Sequence, residues 1–200
     1  MITGIIIAGG QSRRLGYDKR QLRLWGAHGP TLLEQTVATL APLCAEVVVV
    51  LNDPEAWRHL PVRLVPDCVR DAGALGGLAA GLAAITTPRA LVVAADMPFL
   101  QPTLLQALVD LPCAAQVLIP RAPTTMHNRA GLEPLHAIYD GTCLPTLRAA
   151  LDRGERRLVT ALSSLTRCVV ETATWMRYDP QGRAFFNLNT PADLALFDSR

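Results

Sequence analysis

The chain has 200 residues, half of them hydrophobic, and a formal net charge of +2. So small a charge argues against a nucleic-acid-binding surface, and no apolar run approaches the ~18 residues that a membrane-spanning helix requires. The five cysteines are scattered without a CxxC spacing, and the N-terminus lacks the basic region of a signal peptide. We therefore expect one domain over residues 1–200, with reduced thiols, in the cytoplasm.

The first 120 residues alternate apolar runs with helical patterns. The best-marked helix start is Thr31-Leu32-Leu33-Glu34, a capping-box sequence in which the first and last side chains can each accept from a backbone N–H group. Such an alternation favours a mostly parallel sheet with helices on both faces. Strands are predicted at 5–8, 46–51, 62–65, 90–95 and 116–120, and helices at 32–40, 75–85 and 102–111.

The last 80 residues are less regular. Thr190-Pro191-Ala192-Asp193 is a helix start, with a capping threonine, a proline in the first turn and an acidic residue. The polar segment 121–129, rich in proline and threonine, is predicted to be a mobile loop, and no linker separates two independent domains. Strands are predicted at 134–139 and 168–171, and helices at 143–153 and 157–165.

Polar residues and glycines follow several predicted strands. Gly9-Gly10, Asn52, Asp67 and Asp96 each come after a strand-like run. Active sites in parallel α/β sheets lie at the carboxyl ends of the strands. We therefore expect these residues to converge at one edge of the sheet.

A single lysine, Lys19, closes the loop after the first strand, although the chain has 19 lysines and arginines together. A strand, a glycine-rich loop and a basic side chain make a phosphate-binding arrangement. The loop does not match a P-loop, because five residues separate Gly10 from Gly16 and Arg20 follows the lysine. It does not match the dinucleotide fingerprint either, since no third glycine follows Gly9-Gly10 at the required offset.

The run Ile7-Ala8-Gly9-Gly10-x-Ser12-x-Arg14-x-Gly16-x-Asp18-Lys19 resembles the signature loop of the molybdenum cofactor guanylyltransferase (MobA-like) family of nucleotidyltransferases. The adjacent Asp-Lys pair is its specific part, and one departure is Ala74, where a proline is usual. The resemblance implies an α/β fold, a Rossmann-like three-layer α/β/α sandwich with a mostly parallel sheet, like that of nucleotide-diphospho-sugar transferases. Further matches to family patterns occur in order at Asp67, 73–78, 95–99, 133–139, 154–158 and 187–194.

The resemblance also implies a reaction. The terminal phosphate of molybdenum-molybdopterin would attack the α-phosphorus of GTP, and pyrophosphate would leave. Such a transfer needs positioning and charge neutralisation more than a protein nucleophile. Residues 1–120 would form the nucleotide-binding half and 121–200 the acceptor-binding half. Mg²⁺ is the implied cofactor, molybdoenzymes or their chaperones are possible partners, and a monomer or weak oligomer is expected.

The same resemblance assigns site residues. Catalysis falls to Lys19, Arg14 and Asp96, with the lysine at the α-phosphate and Asp96 also holding Mg²⁺. The nucleotide-binding set is Ile7, Ala8, Gly9, Gly10, Lys19, Asn52, Asp67 and Asp96. The acceptor-binding set is Arg13, Gly16, Arg156, Asn187 and Asn189.

Several assignments have a structural alternative. A lone histidine in an apolar context is more often structural than functional, so His136 receives no role. The alternatives are a turn for Asp67, a helix cap for Asp96, a turn for Asn189, and a solvated surface charge for one of Arg13 and Arg14 and for Arg156.

Rival functions also remain at this stage. The nearest uses the same chemistry with CTP, or with a sugar phosphate as acceptor. A non-catalytic nucleotide sensor or a chaperone for molybdoenzymes is a different class, against which the joint presence of Lys19 and Asp96 argues. A small-molecule kinase is disfavoured by the loop spacing, and it would form ADP instead of pyrophosphate.

Overall fold

The computed structural model describes residues 1–9, 18–67, 72–122, 131–190 and 192–193. Strands from both predicted halves of the chain join one sheet. They are β1 (Thr3–Ile7), β2 (Glu46–Leu51), β3 (Arg63–Pro66), β4 (Arg89–Ala94), β5 (Val117–Pro120), β6 (His136–Asp140) and β7 (Arg167–Val170). Their order across the sheet is β3-β2-β1-β4-β6-β5-β7.

The sheet is mostly parallel, as predicted. β1 is parallel to β2 and to β4, β2 is parallel to β3, and β5 is parallel to β7. The exception is β6, which lies between β4 and β5 and is antiparallel to both. The sequence pattern predicted this strand but not its direction, because strand periodicity is the same for both senses.

The helices are α1 (Leu32–Leu40), α2 (Gly73–Ala84), α3 (Pro102–Asp110), α4 (Leu144–Asp152), α5 (Leu158–Ala161) and α6 (Thr172–Trp175). The predicted capping box of α1 is confirmed, since Glu34 N donates to Thr31 Oγ1 at 3.2 Å and Thr31 N donates to Glu34 Oε2 at 2.6 Å. The single helix predicted at 157–165 is wrong in detail. It divides into α5 and a 3₁₀ turn at Leu162–Ser164.

Two apolar cores lie on the two faces of the sheet, so the molecule has three layers. One core contains buried side chains of α1 and α3, together with Trp175 and Phe185 from the C-terminal part. The other contains buried side chains of α2, α4 and α5. This arrangement confirms the predicted sandwich.

Helix α2 packs closely on the sheet because it is rich in glycine. A Cβ atom on Gly81 would lie 2.6 Å from Cγ2 of Ile5, a buried residue of β1. Glycine normally weakens a helix by about 1 kcal/mol relative to alanine. Here its small size allows the helix to approach the strand that leads to the site.

No helix among the described residues is long and apolar enough to cross a membrane. The four described cysteines have free thiols, and burial raises the pKa of Cys44 and Cys143 to about 11. The thiols of Cys44 and Cys143 are therefore protonated and unreactive at neutral pH.

Candidate active site

A cavity of about 150 Å³ lies at the carboxyl ends of the parallel strands, which we call the carboxyl edge of the sheet. The ends of β1 and β4, the segments after β3 and before β6, and the first turn of α2 all contribute to it. The lining residues are Ile7, Ala8, Gly9, Lys19, Arg20, Asp67, Gly73, Ala74, Ala94, Ala95, Asp96 and Leu135. The structure thus brings together most of the residues that the sequence assigned to the nucleotide.

The ammonium group of Lys19 lies at the centre of this edge. It donates to Asp96 Oδ2 at 2.7 Å, to Asn189 Oδ1 at 3.0 Å and to the carbonyl oxygen of Leu188 at 3.1 Å. Its side chain is 14% exposed and that of Asp96 is 19% exposed, so solvent screens this ion pair only in part. These hydrogen bonds bring together the turn that carries Lys19, the end of β4 and the C-terminal segment.

Both the backbone and the side chain of Asp96 accept hydrogen bonds. Its backbone carbonyl accepts from Leu188 N at 2.9 Å, and its Oδ2 accepts from Lys19. Its Oδ1 is buried and has no hydrogen-bond donor among the described residues. It does not cap the following helix, because the N-cap of α3 is Gln101. The helix-cap alternative is therefore wrong.

The backbone after β1 is fixed by a residue from the next strand. Asn52 Nδ2 donates to the carbonyl oxygen of Gly9 at 2.7 Å. A Cβ atom on Gly9 would lie only 3.3 Å from Asp67 Oδ2 and 3.5 Å from Asn52 Nδ2. Glycine at this position allows the side chains of Asn52 and Asp67 to approach the loop backbone closely.

The first turn of α2 adds a positive electrostatic end. Gly73 and Ala74 line the cavity, and the N-cap residue Ala72 supplies no side-chain hydrogen bond to the turn. The backbone N–H groups at a helix N-terminus attract anions. With Lys19, this turn gives the cavity two groups suited to a phosphate.

Arg20 is a site residue that the sequence reasoning missed. It donates to both carboxylate oxygens of Asp18, to both of Asp53 and to the carbonyl oxygen of Ala8, and its guanidinium lies 5.6 Å from the centre of the Trp57 ring. We call Arg20, Asp18, Asp53 and the Ala8 carbonyl the Arg20 clamp. The signal in the sequence was the run Asp18-Lys19-Arg20 with a second acid, Asp53, just after β2.

The charges of the Arg20 clamp stabilise one another. Burial raises the pKa of Asp18, but the hydrogen bonds and the positive charge of Arg20 outweigh it and hold that pKa below its ordinary value. Burial likewise lowers the pKa of Arg20, yet its bonds to Asp18 and Asp53 raise it overall. Asp18 and Arg20 are therefore both ionised at neutral pH.

The C-terminal segment contributes Asn189 to the site. Asn189 Oδ1 accepts from Lys19, while its backbone N donates to Asp193 Oδ2 at 2.9 Å. Asp193 N in turn donates to Thr190 Oγ1 at 3.2 Å, which is the predicted helix cap. Asn189 thus belongs both to the turn and to the lysine contact. Asn187 Nδ2 donates to the carbonyl oxygen of Phe185 at 3.4 Å.

Arg156 does not contact the residues around Lys19 in any described bond. Its Nη1 donates to the carbonyl oxygens of Glu155 at 2.9 Å and of Leu151 at 3.3 Å, at the end of α4. Its acceptor-binding role remains a prediction. Outside the described residues lie the predicted site residues Gly10, Arg13, Arg14 and Gly16 and the loop residues 123–129.

His136 is fully buried beside this site, and its ring centre lies 4.9 Å from that of Phe185. Neither ring nitrogen has a hydrogen-bond partner in the described part of the chain, and burial lowers the pKa of the imidazole to about 3. These contacts fit the structural role expected for it.

The mostly parallel sheet places Lys19, Asp96, Gly9 and the N-terminus of α2 around one cavity. This is the architecture of a nucleotidyltransferase. The sequence model of the MobA-like NTP transferase domain matches residues 4–166. The chain belongs to that family.

Individual relatives agree. A probable molybdenum cofactor guanylyltransferase of Chloroflexus aggregans is 52% identical over 98% of this chain and 93% of its own length. A probable molybdenum cofactor guanylyltransferase of Natronomonas pharaonis is 34% identical over 96% of this chain and 94% of its own. The molybdopterin-guanine dinucleotide biosynthesis protein A of Archaeoglobus fulgidus has the same fold, with a TM-score of 0.83 and 25% identity over 99% of this chain and 97% of its own.

A cytidylyltransferase also shares the fold. The 2-C-methyl-D-erythritol 4-phosphate cytidylyltransferase of Thermus thermophilus has a TM-score of 0.70 at 21% identity, covering 100% of this chain and 98% of that one. At this identity the likeness concerns the fold alone, since one fold serves several nucleotides and acceptors.

Proposed function

We propose that this protein is a molybdenum cofactor guanylyltransferase, which transfers GMP from GTP to the terminal phosphate of molybdenum-molybdopterin and releases pyrophosphate. The observation that carries the proposal is the 2.7 Å contact between Lys19 Nζ and Asp96 Oδ2 at the carboxyl edge. It occurs in a chain that is 52% identical to a relative named for this activity.

Lys19 is the proposed electrostatic catalyst. In-line attack on the α-phosphorus increases negative charge on the oxygens of that phosphate, and a positioned ammonium group stabilises this charge. The described acceptors on Asp96, Leu188 and Asn189 hold this ammonium group at the carboxyl edge of the sheet.

We propose that the nucleotide binds between the segment that follows β1 and the first turn of α2. Ile7, Ala8 and Gly9 would line the nucleotide site, with Asn52 holding the Gly9 carbonyl and Asp67 directed at the ribose or base. The N-terminus of α2 would attract the phosphates of the leaving pyrophosphate.

Asp96 is the proposed residue for Mg²⁺. A buried carboxylate oxygen without a donor fits a hard cation, and Asp96 Oδ1 is such an atom within the described residues. The described residues hold no group of three or more His, Cys, Asp or Glu side chains suited to a metal. This donor set suits Mg²⁺, which is often held by one or two carboxylates, substrate phosphates and water. When bound, the ion would neutralise phosphate charge.

The acceptor is proposed to approach from the C-terminal side, where Asn187 and Asn189 lie, together with Arg13, Gly16 and Arg156. Arg14 is proposed to act on the triphosphate. We further propose a monomer or weak oligomer in the cytoplasm that passes its product to molybdoenzymes or their chaperones. The free thiols of the described cysteines support a reducing compartment.

The test is pyrophosphate release by the purified chain with molybdenum-molybdopterin and, in parallel, GTP, CTP or ATP. Release with GTP and formation of the guanine dinucleotide are expected. Release with CTP but not GTP would contradict the proposal, and so would formation of a nucleoside diphosphate, which indicates a kinase. A sugar phosphate in place of molybdopterin tests the remaining acceptor class.

Matched variants assign the activity to the site. Lys19→Ala and Asp96→Ala should abolish turnover while circular dichroism shows an intact fold. Asp110→Ala is the control, because Asp110 is an exposed aspartate at the end of α3. If both site variants stayed as active as this control, the catalytic assignment would fail.

A further inference from the structure

The guanidinium group of Arg20 donates an unusually complete set of hydrogen bonds to other parts of the protein. Its Nε donates to Asp18 Oδ1 at 2.8 Å and Oδ2 at 3.1 Å, and its Nη2 donates to Asp18 Oδ2 and Asp53 Oδ2, both at 2.7 Å. Its Nη1 donates to Asp53 Oδ1 at 2.6 Å and to the Ala8 carbonyl at 3.2 Å. The side chain is 13% exposed.

This pattern uses every donor of the guanidinium group. Arginine has five N–H donors, one on Nε and two on each terminal nitrogen. The bonds to Asp18, Asp53 and Ala8 account for all of them. Although Arg20 lines the cavity, a phosphate could gain a bond from it only by replacing a carboxylate or the Ala8 carbonyl. Its described contacts are therefore those of a residue that holds other parts of the protein together.

The partners of Arg20 lie on three separate pieces of the carboxyl edge. Asp18 precedes the 3₁₀ turn that carries Lys19 and accepts from Arg20 N at 3.0 Å. Ala8 follows β1, and Asp53 follows β2. A planar fork bonded to two carboxylates has a fixed geometry, which a flexible ammonium group cannot reproduce. The clamp thus ties the lysine turn to the ends of both strands.

We propose that Arg20 is a positioning residue for Lys19. By holding the turn Lys19–Gln21 against β1 and β2, it sets where the ammonium group meets Asp96 and the α-phosphate. This inference rests on the proposed function and adds a residue that the family resemblance did not assign. In the clamp the positive charge of Arg20 lies between two carboxylates. Removing Arg20 therefore leaves two negative charges beside a site for a triphosphate.

Kinetics of Arg20→Gln separate positioning from substrate contact. With GTP and molybdenum-molybdopterin, kcat is expected to fall on the order of 100-fold, because a displacement of about 1 Å at a catalytic group has an effect of this size. KM for GTP should rise by far less than kcat falls, since no ground-state contact is lost and only the repulsion between the triphosphate and the unpaired Asp18 and Asp53 is added. Arg63→Gln is the control. Arg63 donates to the Ala84 carbonyl at 2.8 Å, at the opposite edge of the sheet.

A second variant covers the case in which Arg20→Gln fails to fold. Asp53→Asn keeps the arginine and removes one charge of the clamp, and a loss of kcat of about 10-fold is expected. The double variant Arg20→Gln/Asp53→Asn should be no slower than Arg20→Gln alone, because partners in one network are not additive. Additive losses, or a rise in KM with kcat unchanged, would overturn the positioning role.

A spectroscopic test needs no activity. Because the chain contains one lysine, ¹⁵N-lysine labelling gives a single side-chain ammonium signal, that of Lys19. In Arg20→Gln this signal should shift and its protons should exchange with water faster, while Arg63→Gln leaves it unchanged. An unchanged signal in a folded Arg20→Gln protein would refute the proposal. A wild-type protein that releases no pyrophosphate would refute the proposed function and leave this test of Arg20 intact.

Discussion

Lys19 and His136 are ionisable residues in two adjoining regions, the carboxyl edge of the sheet and the apolar core beneath it. Lys19 donates to three acceptors among the described residues, one of them a carboxylate. His136 is fully buried, and neither of its nitrogens has a partner within the same residues. A buried group keeps its charge only where partners replace water. The carboxyl edge of the sheet therefore stabilises charged side chains, whereas the core keeps its histidine neutral and packed among apolar groups.

If this contrast holds, substitutions at the edge change activity with little effect on stability, and substitutions in the core do the reverse. The largest effect is expected for Lys19→Arg. A planar fork cannot place one compact charge on Asp96, Asn189 and the Leu188 carbonyl at once, so kcat should fall about 1000-fold. The melting temperature should stay within a few degrees of the wild type. Turnover close to that of the wild type would remove the special place given to this lysine.

The core makes its own prediction through pH. The folded-state pKa of His136, about 3, lies below its ordinary value of 6.5, so the unfolded chain takes up this proton first as pH falls. The stability linked to His136 is complete above pH 6.5 and is lost progressively down to about pH 3. Urea unfolding should show a loss of roughly 2–3 kcal/mol between pH 6.5 and 4.5, at about 1.4 kcal/mol per pKa unit.

His136→Leu isolates this histidine from other titrating groups. The variant should lose most of the dependence of unfolding free energy on pH between 6.5 and 4.5. Its activity at neutral pH should stay within about twofold of the wild type, since the ring makes no polar contact with the edge. A variant with the same pH slope as the wild type would contradict the assignment to His136.

Gly81→Ala tests the packing of α2 on β1. The added methyl would press on Ile5, and overpacking of a core costs about 1–3 kcal/mol, from which about 1 kcal/mol of helix propensity is subtracted. A net loss of up to about 2 kcal/mol in urea unfolding is expected, with unchanged kcat. Gly141→Ala is the control, because its Cβ would meet the Pro88 carbonyl oxygen at an ordinary 3.4 Å.

The smallest effect is expected for Asn52→Ala. It removes one hydrogen bond to the Gly9 carbonyl, worth about 1 kcal/mol. KM for GTP should rise about fivefold, and the unfolding free energy should hardly change. A larger loss of stability than that of Gly81→Ala would show that the edge also supports the fold.

Much of the fold could be predicted because its signals are local. Short apolar runs predict the strands of the nucleotide-binding half, and capping residues predict the Thr31–Glu34 capping box. The direction of β6 was not predictable, because it depends on which neighbours it joins. The end of α5 at Ala161 was missed as well, since a helical pattern does not show where a chain changes to a 3₁₀ turn.

The site was predictable where a residue ends a strand. Gly9, Asp67 and Asp96 meet at one cavity because they follow β1, β3 and β4. Arg20 was missed because its partner Asp53 is 33 residues away and a lone arginine after a lysine resembles a surface charge. The contact between Lys19 and Asn189 spans 170 residues, and only the folded chain brings the two together.

The bonds of Lys19 have a consequence for the order of events. An ammonium group carries three hydrogens, and the described acceptors already number three. A phosphate oxygen that joins Lys19 must exchange with one of them or share its hydrogen. Two of the three, the Leu188 carbonyl and Asn189 Oδ1, belong to the C-terminal segment. A nucleotide that engaged Lys19 as proposed would therefore weaken its bonds to the segment on which the second substrate is expected.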